Sequence, residues 1–200
     1  MNKTLHHTAA SQVPTVAGTP LSGGTGGATG FNGIDVVQQT NAGTGSYSGT
    51  QLDVTPPDQG LCVGHGDVVE GVNLALRVYS ASGTPLTAAV PYNQFLNLAP
   101  EQVTNPDGTF TFGPFLSDPK CYYDPDTGRW FMTILAIALD PATGAFGNTA
   151  QQYVAVTATS DPTGTWNIYT FATTDDGTAG TPSDAGCPCF GDQPLIGADA

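Results

Sequence analysis

The chain reads as an all-β protein of short antiparallel strands, and three observations carry that reading. The first is composition: 26 Gly and 16 Pro in 200 residues, with only four Lys and Arg together. Gly and Pro break helices and open turns, and the helix formers Glu, Lys, Arg and Met are scarce. The second is one turn used three times, DPDTG from Asp124, DPATG from Asp140 and DPTG from Asp161. The third is the period-two alternation of apolar and polar side chains between those turns. A helical bundle and a doubly wound α/β domain are excluded on these grounds.

Charge narrows the partners. Fifteen Asp and two Glu against four cations give a net charge of −13. Such a field repels a phosphate backbone, so nucleic acid is excluded as a partner. No stretch approaches the ~20 apolar residues of a membrane helix, so no membrane span is expected. Four cysteines, Cys62, Cys121, Cys187 and Cys189, in a Gly- and Asp-rich acidic chain favour an oxidising compartment, and four allow three pairings. Cys187-Pro188-Cys189 has C-x-C spacing with no second close pair or nearby His, so a tetrahedral metal set is disfavoured against disulfides or buried thiols.

Taken in order, residues 1–30 are poor in large apolar side chains and predict a disordered Gly/Thr/Ser-rich leader ahead of one β domain over 31–200. Phe31 to Val37 is the first candidate strand, followed by loop from Asn41 to Gln51. GDVVEGVN (Gly66 to Asn73) and LALRVYS (Leu74 to Ser80) read as adjacent strands closed by the turn Ala81-Ser82-Gly83-Thr84. The densest pattern runs from Asp118 to Thr173. There Lys120 to Tyr123, Arg129 to Ala138, Gln152 to Thr159 and Trp166 to Ala172 form a four-stranded meander. In its turns Asp caps, Pro presets φ, and Gly128, Gly144 and Gly164 are expected to accept positive φ.

A larger repeat encloses these strands. Asp58, Asp118 and Asp192 each open a unit, at intervals of 60 and 74 residues. Four-stranded units of about this size predict β-propeller blades: two blades starting near 56 and 117 and the start of a third near 191. The chain stops in mid-motif at PLIGADA, so the propeller is expected to be incomplete and to need the remainder of the ring as its partner.

Several motifs, in order, resemble a known group. PPDQGLCVG (Pro56 to Gly64) with VVEGVNLALRVYSASGTPL (Val68 to Leu86) is similar to the opening blade of secreted bacterial β-propellers related to the sialidase (neuraminidase-like, BNR-repeat) superfamily. DPKCYYDPDTGRW (Asp118 to Trp130), TATSDPTGTWNIYTF (Thr157 to Phe171) and FGDQPLIGAD (Phe190 to Asp199) resemble later segments of the same pattern. The resemblance implies a secreted or cell-surface binding module for glycans or a surface partner. It leaves two alternatives: a sialidase-like glycoside hydrolase with catalytic residues partly elsewhere, and a structural or adhesin scaffold. Departures from the pattern bear on the enzyme. Ser160 to Trp166 is one residue shorter than the sialidase Asp box, and a sialidase needs three arginines where this chain has Arg77 and Arg129.

The resemblance assigns Asp124, Gly128, Trp130, Asp161, Gly164 and Trp166 to structural turns. Asp58, Asp118 and Asp192 would meet at the channel mouth. Three roles stay open for them: binding Ca²⁺ or a sugar, acid/base catalysis, or capping their own turns. Asp124-x-Asp126-x-Gly128 mimics a calcium loop but lacks the later ligands, and a hairpin turn is the simpler reading. His65 stands in loop. Tyr122, Tyr123, Trp130, Trp166 and Tyr169 could stack on sugars, although on alternating strands aromatics more often fill the core. Cys62 and Cys121 fall in the opening strands of consecutive units, so a disulfide between them is geometrically accessible.

Overall fold

The computed structural model describes residues 30–199. The expectation of a leader over 1–30 therefore lies almost wholly outside the described residues. Antiparallel sheet dominates. β1 (Gly60–Gly64), β2 (Asp67–Val72), β3 (Ala75–Ser80) and the short β4 (Val90–Pro91) form one four-stranded sheet in chain order. After the single helical turn α2 (Tyr92–Phe95), β5 (Gln102–Thr104) and β6 (Phe110–Phe112) make a separate hairpin. β7 (Phe115–Asp124), β8 (Arg129–Leu139), β9 (Phe146–Thr157) and β10 (Trp166–Ala172) form the second four-stranded sheet, again in chain order. Both sheets are meanders. Among the described residues no sheet closes on itself.

The three Asp-Pro turns close as their composition requires. Asp124 accepts from the Asp126 N–H at 3.0 Å and from the Thr127 hydroxyl. Asp140 accepts from the Ala142 and Thr143 N–H groups at 3.0 and 2.8 Å, and Asp161 from the Thr163 N–H at 2.8 Å. These bonds hold Asp124, Asp140 and Asp161 below the usual carboxylate range. Gly128 and Gly144 take left-handed φ of 64° and 69°. Gly164 does not, which corrects the expectation for the third turn: that loop is one residue shorter and the Asp161 side chain closes it without a left-handed residue. Trp130 is fully buried and donates its indole N–H to the Ser160 carbonyl at 2.9 Å, while Trp166 donates to Pro162 at 3.0 Å. Both rings thereby fasten the DPTG turn to the sheet.

The core lies between the two sheets. Trp130, Met132, Ile134 and Ala136, alternate residues of β8, pack in one cluster with Cys62, Val69, Leu76 and Val78 of the first sheet. β7 lies against β1 and β2, and the two opening strands run in the same direction. Their contact is nearly backbone to backbone. A Cβ on Gly60 would lie 2.9 Å from the Pro119 carbonyl oxygen, and one on Gly64 would run into the Tyr123 ring. Between those contacts Cys62 and Cys121 form a disulfide with Cα atoms 5.4 Å apart, the pairing expected from their places in the repeat.

Three element expectations need correction, one being the strand expected from Gln152 to Thr159, which begins six residues earlier, at Phe146, and ends at Thr157. Phe31 to Val37 is not a strand: α1 (Val36–Thr40) starts there, because Asp35 and Gln38 make a reciprocal capping box. The incoming chain is then held by side chains, with the Ile34 N–H donating to Glu70 at 2.8 Å and Phe31 stacking 5.1 Å from Tyr79. The strand expected from Lys120 begins earlier, at Phe115, and contains a bulge between Ser117 and Lys120.

Candidate functional site

Asp58, Asp118 and the Asp192–Gln193 segment come together towards one end of the two opening strands. Asp118 is the centre of the group. It does not precede its strand, as the sequence suggests, but sits within β7 at the bulge, with a left-handed φ of 55°. A bulge re-aims the side chain it carries, and Asp tolerates this φ better than most residues. Asp118 is 1% exposed. Its Oδ1 accepts from the Ser117 hydroxyl at 2.9 Å, and its Oδ2 accepts from the Gln193 N–H at 3.2 Å. Burial opposes its charge, but hydrogen bonds from Asp58, Ser117, Gln193 and Asp192 outweigh that and hold its pKa below the ordinary carboxylate value.

Asp58 and Asp192 differ in surroundings. Asp58 is half-buried and Asp192 is exposed. The Asp58 loop is fixed by Asn73, which is fully buried. Asn73 accepts from the Asp58 N–H at 2.5 Å and donates to the Val54 and Pro56 carbonyls at 3.1 and 2.9 Å. The segment from Gln193 onward forms no named strand. It is tied to β7 by the Gln193 N–H and by Lys120, whose Nζ donates to Gln193 at 3.4 Å.

Asp58 and Asp192 lie close enough to Asp118 to influence its ionisation. Among the described residues no group of three or more His, Cys, Asp or Glu is arranged to hold a metal ion. Asp124 and Asp126 spend their geometry on a turn. A cleft of about 340 Å³ lies at the other end of β7, between Tyr122, Asp124, Phe131 and the stretch Ile196–Asp199. His65 is exposed in the β1–β2 turn at φ 49°. Tyr123 packs on Trp130 at 4.7 Å and belongs to the core edge, whereas Tyr169 on β10 is 54% exposed.

Two acidic residues of note carry only a weak sequence signal. Glu70 accepts from Ile34 and from the Tyr79 hydroxyl at 2.9 Å, locking the incoming chain to the first sheet. Glu101 opens the β5–β6 segment and is fully buried. Its Oε2 accepts from the Leu52 N–H at 3.1 Å, and its Oε1 has no partner. Burial pushes the Glu101 pKa up to about 8, against the pull of the Leu52 bond. Only their being the two Glu among fifteen Asp marked them, a weak signal.

Comparison with known protein families, with curated proteins and with solved structures finds no match.

Proposed function

We propose that this chain is part of a secreted or surface-displayed β-propeller that works as a binding module, with a hydroxyl-rich ligand such as a glycan as its target. The observation that carries the reading is the meeting of Asp58, Asp118 and Asp192 at one end of side-by-side opening strands. Two consecutive meanders with opening strands in the same direction support the propeller part of the reading. The disulfides support an oxidising compartment. At the carboxyl end a buried Asp118 stands beside two more accessible carboxyls whose oxygens can accept from sugar hydroxyls.

The test is a glycan array followed by calorimetry on wild type, Asp192→Ala and Tyr122→Ala. Binding that weakens roughly tenfold or more in Asp192→Ala and is unchanged in Tyr122→Ala supports the carboxyl end as the site. Loss confined to Tyr122→Ala would move the ligand to the other cleft and overturn this placement. An array with no binder would overturn the glycan reading itself.

A further inference from the structure

The molecule holds two disulfides of opposite character. Cys62–Cys121 joins residues 59 apart between two sheets, with Cys62 buried in the main core cluster. Cys187–Cys189 joins residues two apart in a surface loop, and Cys189 is exposed. Thiol–disulfide exchange needs a thiolate to reach a sulfur, so access separates the two. We infer that Cys187–Cys189 is a thiol-exchange site, open to external monothiols or dithiols, whereas Cys62–Cys121 is a closed structural link.

Two further features fit the assignment. The Cys189 Sγ lies 3.6 Å from the Thr174 carbonyl oxygen. A disulfide sulfur has no hydrogen to give, but a reduced Cys189 thiol donates across that contact, so the loop already holds an acceptor for the reduced form. The loop also has backbone ties that do not involve sulfur. The Cys189 N–H donates to Thr174 at 3.0 Å, the Cys187 N–H to Asp184 at 3.2 Å, and the Asp184 N–H to Asp175 at 2.8 Å. Opening the sulfur bridge therefore leaves the loop in place to close again. Asp192 follows three residues after Cys189, so exchange occurs beside the most exposed member of the carboxyl group.

The chemistry balances with a thiol as the named reductant. A thiolate attacks the Cys189 sulfur, the bond between the two protein sulfurs breaks, and Cys187 leaves as a thiolate that takes a proton. A second thiol attacks the mixed disulfide, releasing Cys189 as a thiol and the reductant as its own disulfide. Two electrons and two protons pass to the protein.

The experiment uses the full chain under native conditions, in a graded series of dithiothreitol and of reduced/oxidised glutathione. Iodoacetamide traps thiols at each step, and peptide mass mapping identifies the alkylated cysteines. Alkylation of Cys187 and Cys189 roughly tenfold or more faster than of Cys62 and Cys121, reversible on adding oxidised glutathione, supports the site. Alkylation of all four in step, or of Cys62 and Cys121 first, overturns it. So does resistance of Cys187 and Cys189 up to reductant levels that unfold the chain, or their alkylation with no reductant present. A Cys187→Ser/Cys189→Ser variant should lose the fast phase and keep the slow one; a fast phase that survives in that variant also overturns the assignment.

Discussion

Replacing Glu101 by Gln should flatten the pH dependence of stability between about pH 4.5 and 8. In the unfolded chain this carboxyl titrates near its ordinary 4.5, and in the folded chain near 8. Between those values the folded state holds a proton that the unfolded state has released. Stability from this group is thus fully present below pH 4.5 and falls as pH rises toward 8. The slope is about 1.4 kcal/mol per pH unit, so from pH 4.5 to 7 wild type loses about 3 kcal/mol at this one position. For a chain of 200 residues that corresponds to roughly 6–12 °C in Tm. The turn aspartates do not confuse the reading, because their lowered pKa values place their contribution below about pH 4, where stability falls with acid instead. Gln keeps the acceptor for the Leu52 N–H and cannot ionise. Urea unfolding of wild type and Glu101→Gln at pH 5, 6, 7 and 8, with disulfides intact, gives both slopes, and the difference in slope is the readout whatever the absolute stability of the variant. If the two proteins keep parallel pH profiles, Glu101 is not a proton-holding buried carboxyl and the reasoning fails.

Other outcomes follow from the packing. Replacing Cys62 and Cys121 by Ala should cost about 4 kcal/mol by loop-closure entropy, read by denaturant unfolding; a cost under ~1 kcal/mol would mean the link does not constrain the unfolded chain. Gly64→Ala should destabilise by about 1–3 kcal/mol because its Cβ meets the Tyr123 ring, and Tyr123→Ala in the same chain should recover part of the cost of Gly64→Ala; additive losses would refute the contact. Asn73→Ala should cost about 2–4 kcal/mol through three lost hydrogen bonds and should weaken any ligand held at Asp58; unchanged stability would show that the loop holds itself.

The strands of the second sheet were legible because their turns announce themselves. Asp-Pro with a following Gly marks where β8 and β10 begin, and strand alternation marks Trp130 as a core residue. The pairing of Cys62 with Cys121 agrees with the expectation from the sequence, and β1 and β7, which carry them, lie side by side. What stayed hidden depends on contacts between distant segments. α1 owes its existence to a two-residue capping box and to docking on Glu70, and Phe31 to Val37 carries strand-like residues that mask it. The bulge that turns Asp118 inward involves a Pro and one irregular pair of residues, below the resolution of any periodicity. The Gln193 N–H reaches Asp118 across 75 residues of sequence, which no local pattern encodes.

The path of the incoming chain along the first sheet has a consequence for how the molecule can be tethered. Phe31 meets Tyr79 and Gly83 beside the end of β3, and the chain then runs past Glu70 to α1, near Val54 and Pro57. The Tyr79 end of the sheet is the one where β1 meets β2 at the Gly64–Asp67 pair, whereas Asp58 leads into β1 at the other end. Strand rise separates the two ends by roughly 13–17 Å. Phe31 thus enters the described fold at the pole opposite Asp58 and Asp118. A label or support coupled through Lys120, the lysine beside Gln193, would by contrast sit against the Asp58 and Asp118 end and crowd any ligand held there.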